Sequence, residues 1–381
     1  MTNIIIDGNY IFHKTFGVFA GYGKNIDPGK ILASKKDQSM FIRKIATDLC
    51  YSLRSLPEGG RLVFTIDSRS WRKDVAIEGG KYKDRERDSE VDWSIFFDLL
   101  NSFGSHIQRM GFTVSKVNGA EGDDLIWRWT HYFNSIGENC IIVSGDEDLY
   151  QLAGINPNGS WTIAWNSKSK NNSIGAGPDW KDIIFSQSEK KEISIFDMGD
   201  SISPESQKIR DLALKCTVVS VDKKEFLITK MLVGDKGDTV PGIWHEEKNG
   251  KTNRITPNKA SEIVNKMKET PWWDMEFLDL IGNEEFLSWV SGYAIRILKG
   301  LDTEENRKKA AENLIRNFKL MWLSEWSLPS DVLEGIDENI SYASSLVRKN
   351  VTLDRIKILE GTEWIDSTSS PSSYDPFQYI K

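Results

Sequence analysis

One join recurs along the chain: a short apolar run of strand type that ends in an acid. Asn3-Ile4-Ile5-Ile6 ends in Asp7 with Gly8 behind it, and Leu62-Val63-Phe64-Thr65-Ile66 ends in Asp67. Cys140-Ile141-Ile142-Val143 runs into Ser144-Gly145-Asp146-Glu147-Asp148. Between these runs, Phe41 to Leu53 and Ile95 to Met110 have the spacing of amphipathic helices. Strands alternating with helices predict an α/β domain built on a parallel sheet. In such sheets ligands bind outside the carboxyl ends of the strands. Acids far apart in sequence are therefore expected to converge at one edge.

Two further clusters extend the pattern. Glu121-Gly122-Asp123-Asp124 opens the helical start Leu125-Ile126-Trp127, and Gly234-Asp235-Lys236-Gly237-Asp238 follows the helical pattern of Phe226 to Val233. One strand-end Asp is more simply a turn former or a helix cap. A recurring set is harder to read that way, because gathered carboxylates repel one another unless a cation joins them. Mg²⁺ takes hard oxygen ligands and suits such a set. The pattern points to metal-dependent phosphoryl-transfer chemistry, with Asp7, Asp67, Glu121, Asp123, Asp124, Asp146, Asp148, Asp235 and Asp238 as candidate ligands.

Taken in order, Asp7-Gly8-Asn9, Ile66-Asp67, Glu121-Gly122-Asp123-Asp124, Ser144 to Leu149 and Gly234 to Gly242 resemble the motifs of the flap endonuclease and 5′-nuclease family. Trp71-Arg72-Lys73-Asp74, Asp92-Trp93 and Trp161 to Trp165 resemble its T-even phage ribonuclease H branch, whose members are 5′-to-3′ exonucleases. The likeness covers roughly residues 1 to 260. It implies a PIN-like parallel-sheet nuclease domain followed by a mostly helical domain with a helix-hairpin-helix-type DNA-binding element. It also implies two Mg²⁺ ions, with Mn²⁺ as a substitute. The second ion would lie toward Asp124, Asp148, Asp235 and Asp238. The implied activity removes RNA primers and adjoining DNA from nicked, branched or flapped duplexes and RNA-DNA hybrids.

The resemblance also assigns roles to cations. Residues 69 to 90 would form an arch, in which Lys83 of Tyr82-Lys83 and, in the phage branch, Arg72 contact the phosphate. Arg69, Lys81, Tyr82, Arg85 and Arg87 would support nucleic-acid binding there. The family's arginine three residues after the lysine is replaced by Glu86, with Arg85 and Arg87 on either side. Ile255 to Val264 resembles the second half of the duplex-gripping element, placing Lys236 and Lys259 on the phosphate backbone. The polar stretch His245 to Arg254 separates the two halves and puts in doubt the monovalent-ion site of many relatives.

Composition bounds the rest. A chain of 381 residues predicts two or three domains. The boundaries read as 1–215 for the nuclease domain, with 155–215 as an insertion holding a short hairpin, then 216–362 and a tail from 363. No run is long enough to cross a bilayer and none resembles a secretory leader, which predicts a cytoplasmic protein with no membrane partner. The three cysteines are widely spaced and predict reduced thiols, and the four histidines show no metal-ligand spacing. The net charge of −7 sits awkwardly with nucleic-acid binding, but two Mg²⁺ would offset about four charges, and local field matters more than the sum. The 14 tryptophans read mainly as helical core. Tyr374, Phe377 and Tyr379, behind a Ser/Pro-rich linker, are candidate anchors for a sliding clamp or single-strand binding protein on an otherwise monomeric enzyme. Rival readings are a PIN-type single-strand ribonuclease and a non-catalytic structure-specific DNA-binding protein.

Overall fold

The computed structural model describes residues 1–19, 32–77, 80–83, 92–167, 173–178, 204–248 and 250–346. Arg85, Arg87, Tyr374, Phe377 and Tyr379 lie outside these residues. The chain divides into two compact units, one holding 1–70, 87–221 and the chain from 331, the other 71–86 and 222–330. Residues 71–86 group with the helical unit, and the last helix returns to the first.

The first unit is built on one sheet. Its strands are β1 (Thr2–Asp7), β2 (Leu62–Thr65), β5 (Thr113–Ser115), β6 (Asn139–Val143), β7 (Gly154–Ile155), β8 (Trp161–Asn166), β9 (Ser173–Ala176) and β10 (Thr217–Ser220). The order is β10-β9-β8-β6-β1-β2-β5, with β7 paired to β8. β1 is parallel to both β2 and β6, and its residues are buried throughout, as expected of a central strand covered on both faces. Ile4 lies opposite both Leu62 and Ile141, Asp7 lies opposite Thr65, and Ile6 lies opposite Val143. The register therefore brings Asp7, Asp67 and Ser144-Gly145-Asp146 out at the same edge.

Helices α1 (Gly8–Phe19), α2 (Lys35–Arg54) and α3 (Trp93–Arg109) share one core with the sheet. Phe12 stands edge-on to Phe41, Phe96 and Phe103 at centroid distances of 5.6, 5.8 and 5.6 Å. Each such pair adds roughly 0.5–1.5 kcal/mol beyond its buried area. Within 155–215, β8 is parallel to β6 inside the sheet and β9 pairs antiparallel with β8; β10, just after that stretch, extends the sheet beyond β9. The Asn, Ser and Gly content of the stretch concealed strands whose own residues are largely apolar. Helix α4 (Gly122–Ser135) follows β5, and α5 (Pro204–Leu214) precedes β10.

The second unit is mostly helical. It contains α6 (Lys223–Val233), α7 (Pro257–Met267), α8 (Phe277–Gly282), α9 (Glu284–Ile297) and α10 (Glu304–Met321), with short pairs β3 (Ala76–Ile77) with β4 (Gly80–Lys81) and β11 (Gly234–Asp235) with β12 (Val240–Pro241). The polar stretch before α7 folds as the antiparallel hairpin β13 (His245–Lys248) and β14 (Lys251–Arg254). Trp272, Trp273, Trp289 and Trp322 pack against the helical core, in line with their helical spacing. The last helix, α11 (Ser330–Ser345), belongs to the first unit from Asp331 onward. Among the described residues no helix is long and apolar enough to cross a membrane.

Candidate functional site

The carboxylates of the first unit are joined by small residues. Ser144 is 3% exposed; its Oγ donates to Asp7 Oδ2 at 2.7 Å and accepts the Asp146 N–H at 3.1 Å. A single hydroxyl thus connects the end of β1 to the turn after β6. Asp7 also accepts the Tyr10 N–H at 2.8 Å, and Asp146 accepts the Asp148 N–H at 2.9 Å. Asn9 accepts the Asp67 N–H through Oδ1 at 2.9 Å, so the segment after β1 also holds the segment after β2.

A second bridge brings in α4. The Gly122 N–H donates to Asp67 Oδ1 at 2.6 Å, and a Cβ on Gly122 would stand 2.8 Å from that oxygen. Glycine between the two acids of this motif therefore permits the approach. Glu121 and Asp124 cap α4 reciprocally, Asp124 Oδ2 accepting the Glu121 N–H at 3.0 Å. Acids at a helix start are favoured by the exposed N–H groups and the helix dipole. Glu121 and Asp124 are buried, whereas Asp146 is exposed.

Tyr10 closes the side of this cluster. Its hydroxyl donates to Asn166 Oδ1 at 3.2 Å, and Gly145 lies so close that a Cβ there would be 2.3 Å from the ring. Burial, with a smaller push from Asp7, raises the Tyr10 phenol to about 12 against the lowering effect of a Ser167 hydrogen bond. Lys14 Nζ donates to Ser167 O and Oγ at 3.0 and 3.1 Å. Asn9, Tyr10, Ser144 and Asn166 were not expected as site residues. Asn9 and Ser144 lie inside the acidic motifs and were detectable there, but nothing in sequence links Tyr10 to Asn166.

Among the described residues no three His, Cys, Asp or Glu side chains are gathered closely enough to hold one ion by themselves. Mg²⁺ commonly takes only one or two carboxylates, filling its octahedron with water and substrate phosphate. The oxygen donors of Asp7, Asp67, Glu121, Asp123, Asp124, Asp146 and Asp148 fit that coordination. They suit a hard divalent ion, not a thiolate- or imidazole-bound metal.

Among the described residues the remaining candidates lie in the second unit, except Arg69, which is exposed in the first. Lys81, Lys83 and Lys236 are exposed, and Tyr82 is 4% exposed. The Tyr82 hydroxyl donates to Asp238 Oδ2 at 2.8 Å, and Lys83 Nζ stands 3.9 Å from the same oxygen. Burial pushes the Asp235 carboxyl up, but Lys230 at 2.9 Å and the N–H groups of Asp238 and Gly237 outweigh it and hold it below the usual carboxylate range. Arg72 is 2% exposed, lies over the Trp71 ring and donates Nε to Leu320 O at 2.9 Å. Lys259 sits in the first turn of α7, where Thr256 caps the helix, and donates Nζ to Asn253 Oδ1 at 2.8 Å.

Residues 2–174 match the 5′-3′ exonuclease N-terminal, resolvase-like domain. The first-unit acids named above all fall within it. Solved structures similar to the chain include the T5 D15 protein co-crystallised with metal ions, at 13% identity and a TM-score of 0.45, with 97% of this chain and 100% of that one covered. Another is the bacteriophage T5 D15 flap endonuclease in a pseudo-enzyme–product complex with DNA and metal ions, at 14% identity and a TM-score of 0.48, covering 91% and 100%. T5 5′-exonuclease with bound zinc ions gives 14% identity and a TM-score of 0.48, covering 90% and 100%.

Proposed function

We propose that the chain is a Mg²⁺-dependent, structure-specific 5′-to-3′ exonuclease and flap endonuclease that removes RNA primers and adjoining DNA. The observation that carries this reading is the bridged set of carboxylates where β1, β2 and β6 end and α4 begins. Asp7, Asp67, Glu121, Asp123, Asp124, Asp146 and Asp148 would hold the metal. When bound, Mg²⁺ or Mn²⁺ supplies Lewis acidity that lowers the pKa of water and offsets charge on the entering and leaving oxygens.

The chain's own residues orient these ligands. Ser144 fixes one Asp7 oxygen and the Asp146 backbone, and Asn9 and Gly122 fix Asp67. Lys83 stabilises charge on the phosphate, with Arg72 supporting the segment that carries it. Lys259, Lys236 and the start of α7 grip duplex backbone, and Arg69 and Lys81 add to the local positive field. The resemblance also gives Asp235 and Asp238 to an ion; their contacts with Lys230, Tyr82 and Lys83 support a different role. From its composition, the tail carrying Tyr374, Phe377 and Tyr379 is proposed to dock on a sliding clamp or single-strand binding protein.

The deciding experiment is digestion of a 5′-labelled, RNA-primed nicked duplex with Mg²⁺ and with EDTA, beside a single-stranded RNA of the same sequence. Short labelled products from the duplex in Mg²⁺ alone are expected. Cleavage confined to the single strand would favour a PIN-type ribonuclease, and no cleavage at all would leave a binding protein.

A further inference from the structure

Resting on the nuclease reading above, we propose that Asp238 is a positioning residue for Lys83, fixing both its backbone and its ammonium group. Three contacts within the second unit converge on this residue. The Asp238 carbonyl accepts the Lys83 N–H at 2.8 Å, Asp238 Oδ2 accepts the Tyr82 hydroxyl at 2.8 Å, and Lys83 Nζ lies 3.9 Å from that same oxygen.

The support runs back into rigid structure on both sides. The Asp238 N–H donates to Asp235 Oδ1 at 3.1 Å, and Lys230 on α6 holds Asp235 Oδ2 at 2.9 Å. On the other side, the Tyr82 ring is buried with Ile77, Val240, Leu320 and Met321. Lys83 Nζ also lies 5.1 Å from the centre of that ring. A lysine on a flexible stem is thus tied to a carboxylate whose own neighbours are fixed.

Backbone geometry gives an independent observation. Lys83 has φ +53° and Thr239, next to Asp238, has φ +62°. Side-chain-bearing residues seldom occupy this left-handed region, and do so where the surroundings over-determine them. Two such residues flank one contact. The 3.9 Å ion pair is partly exposed and weak by itself, so the backbone bond and the Tyr82 hydroxyl do most of the holding. A carboxylate oxygen already accepting a phenol hydrogen bond would have to exchange that partner to become a metal ligand.

The test combines Asp238→Ala and Tyr82→Phe with Lys83→Ala, keeping only variants whose near-UV circular dichroism and thermal midpoint match wild type. Asp238→Ala is expected to slow single-turnover cleavage by about 10- to 100-fold, leaving the Mg²⁺ concentration for half-maximal rate unchanged. The same substitution in a Lys83→Ala background should add little, because coupled residues are not additive. Tyr82→Phe should act in the same direction, more weakly. Independently of cleavage, an amine-acylating reagent read by mass spectrometry should label Lys83 faster in Asp238→Ala and Tyr82→Phe than in wild type. Equal labelling in all three proteins would overturn the proposal. So would an Asp238→Ala defect that persists without Lys83 and comes with a raised Mg²⁺ requirement, which would make Asp238 a metal ligand. Wild-type protein inactive in Mg²⁺ would instead sink the nuclease reading, with the labelling result still deciding the position of Lys83.

Discussion

Asp146 and His106 illustrate two different consequences of a single side chain. Asp146 is exposed, and its backbone N–H is held by Ser144. Asp146→Asn keeps that backbone bond while removing a charge from the proposed metal site. Cleavage should fall by orders of magnitude, with thermal stability near wild type and duplex binding retained or tightened. A mutant turning over at the wild-type rate in Mg²⁺ would place the chemistry elsewhere. His106, on α3, belongs to stability. Burial, assisted by Arg109, lowers its pKa from 6.5 to about 4. The unfolded chain takes up the proton below 6.5 while the folded one resists, so this contribution is present above 6.5 and is lost as pH falls toward 4. His106→Gln should flatten the urea-unfolding free energy between those two pH values; an unchanged slope would show that other groups govern it.

At the scale of elements, the turn after β6 is the sensitive point. A methyl group on Gly145 would meet the Tyr10 ring at 2.3 Å, and the ring is held by Asn166. Gly145→Ala should therefore displace the turn that carries Asp146, costing about 1–3 kcal/mol in stability as overpacking does and raising the Mg²⁺ needed for half-maximal cleavage. Placing Tyr10→Leu in the same chain should restore part of both; no recovery would mean that the turn adjusts some other way. The strand ends and the acids were legible because β1 and β6 are nearly pure apolar runs, closed by an acid or by a serine-glycine-acid turn. The strands β8 to β10 were not, since the polar residues between them dominate the local composition. Nor was the bond from Tyr82 to Asp238, which spans 156 positions and leaves no local periodicity.

For the molecule as a whole, a net charge of −7 makes the placement of cations decisive. Duplex affinity should fall with salt at a slope set by the cations that touch phosphate, and Lys259→Ala should reduce that slope by about one. Filter binding across a salt series would measure it; an unaltered slope would remove Lys259 from the interface. The two units are also interleaved along the chain, which passes between them at 70/71, 86/87, 221/222 and 330/331. The returning helix α11 supplies the first unit with distant partners: Arg61 donates to Ala343 O, Ser115 to Asn339 Oδ1, and Arg128 pairs with Asp337. A ribosome must therefore finish the second unit before it releases the residues that complete the first. The β5 side of the sheet waits through most of synthesis for its last helix. A chain ended by a premature stop after α10 would carry every proposed catalytic residue and still present that side of the sheet unfinished, a substrate for chaperones and proteases.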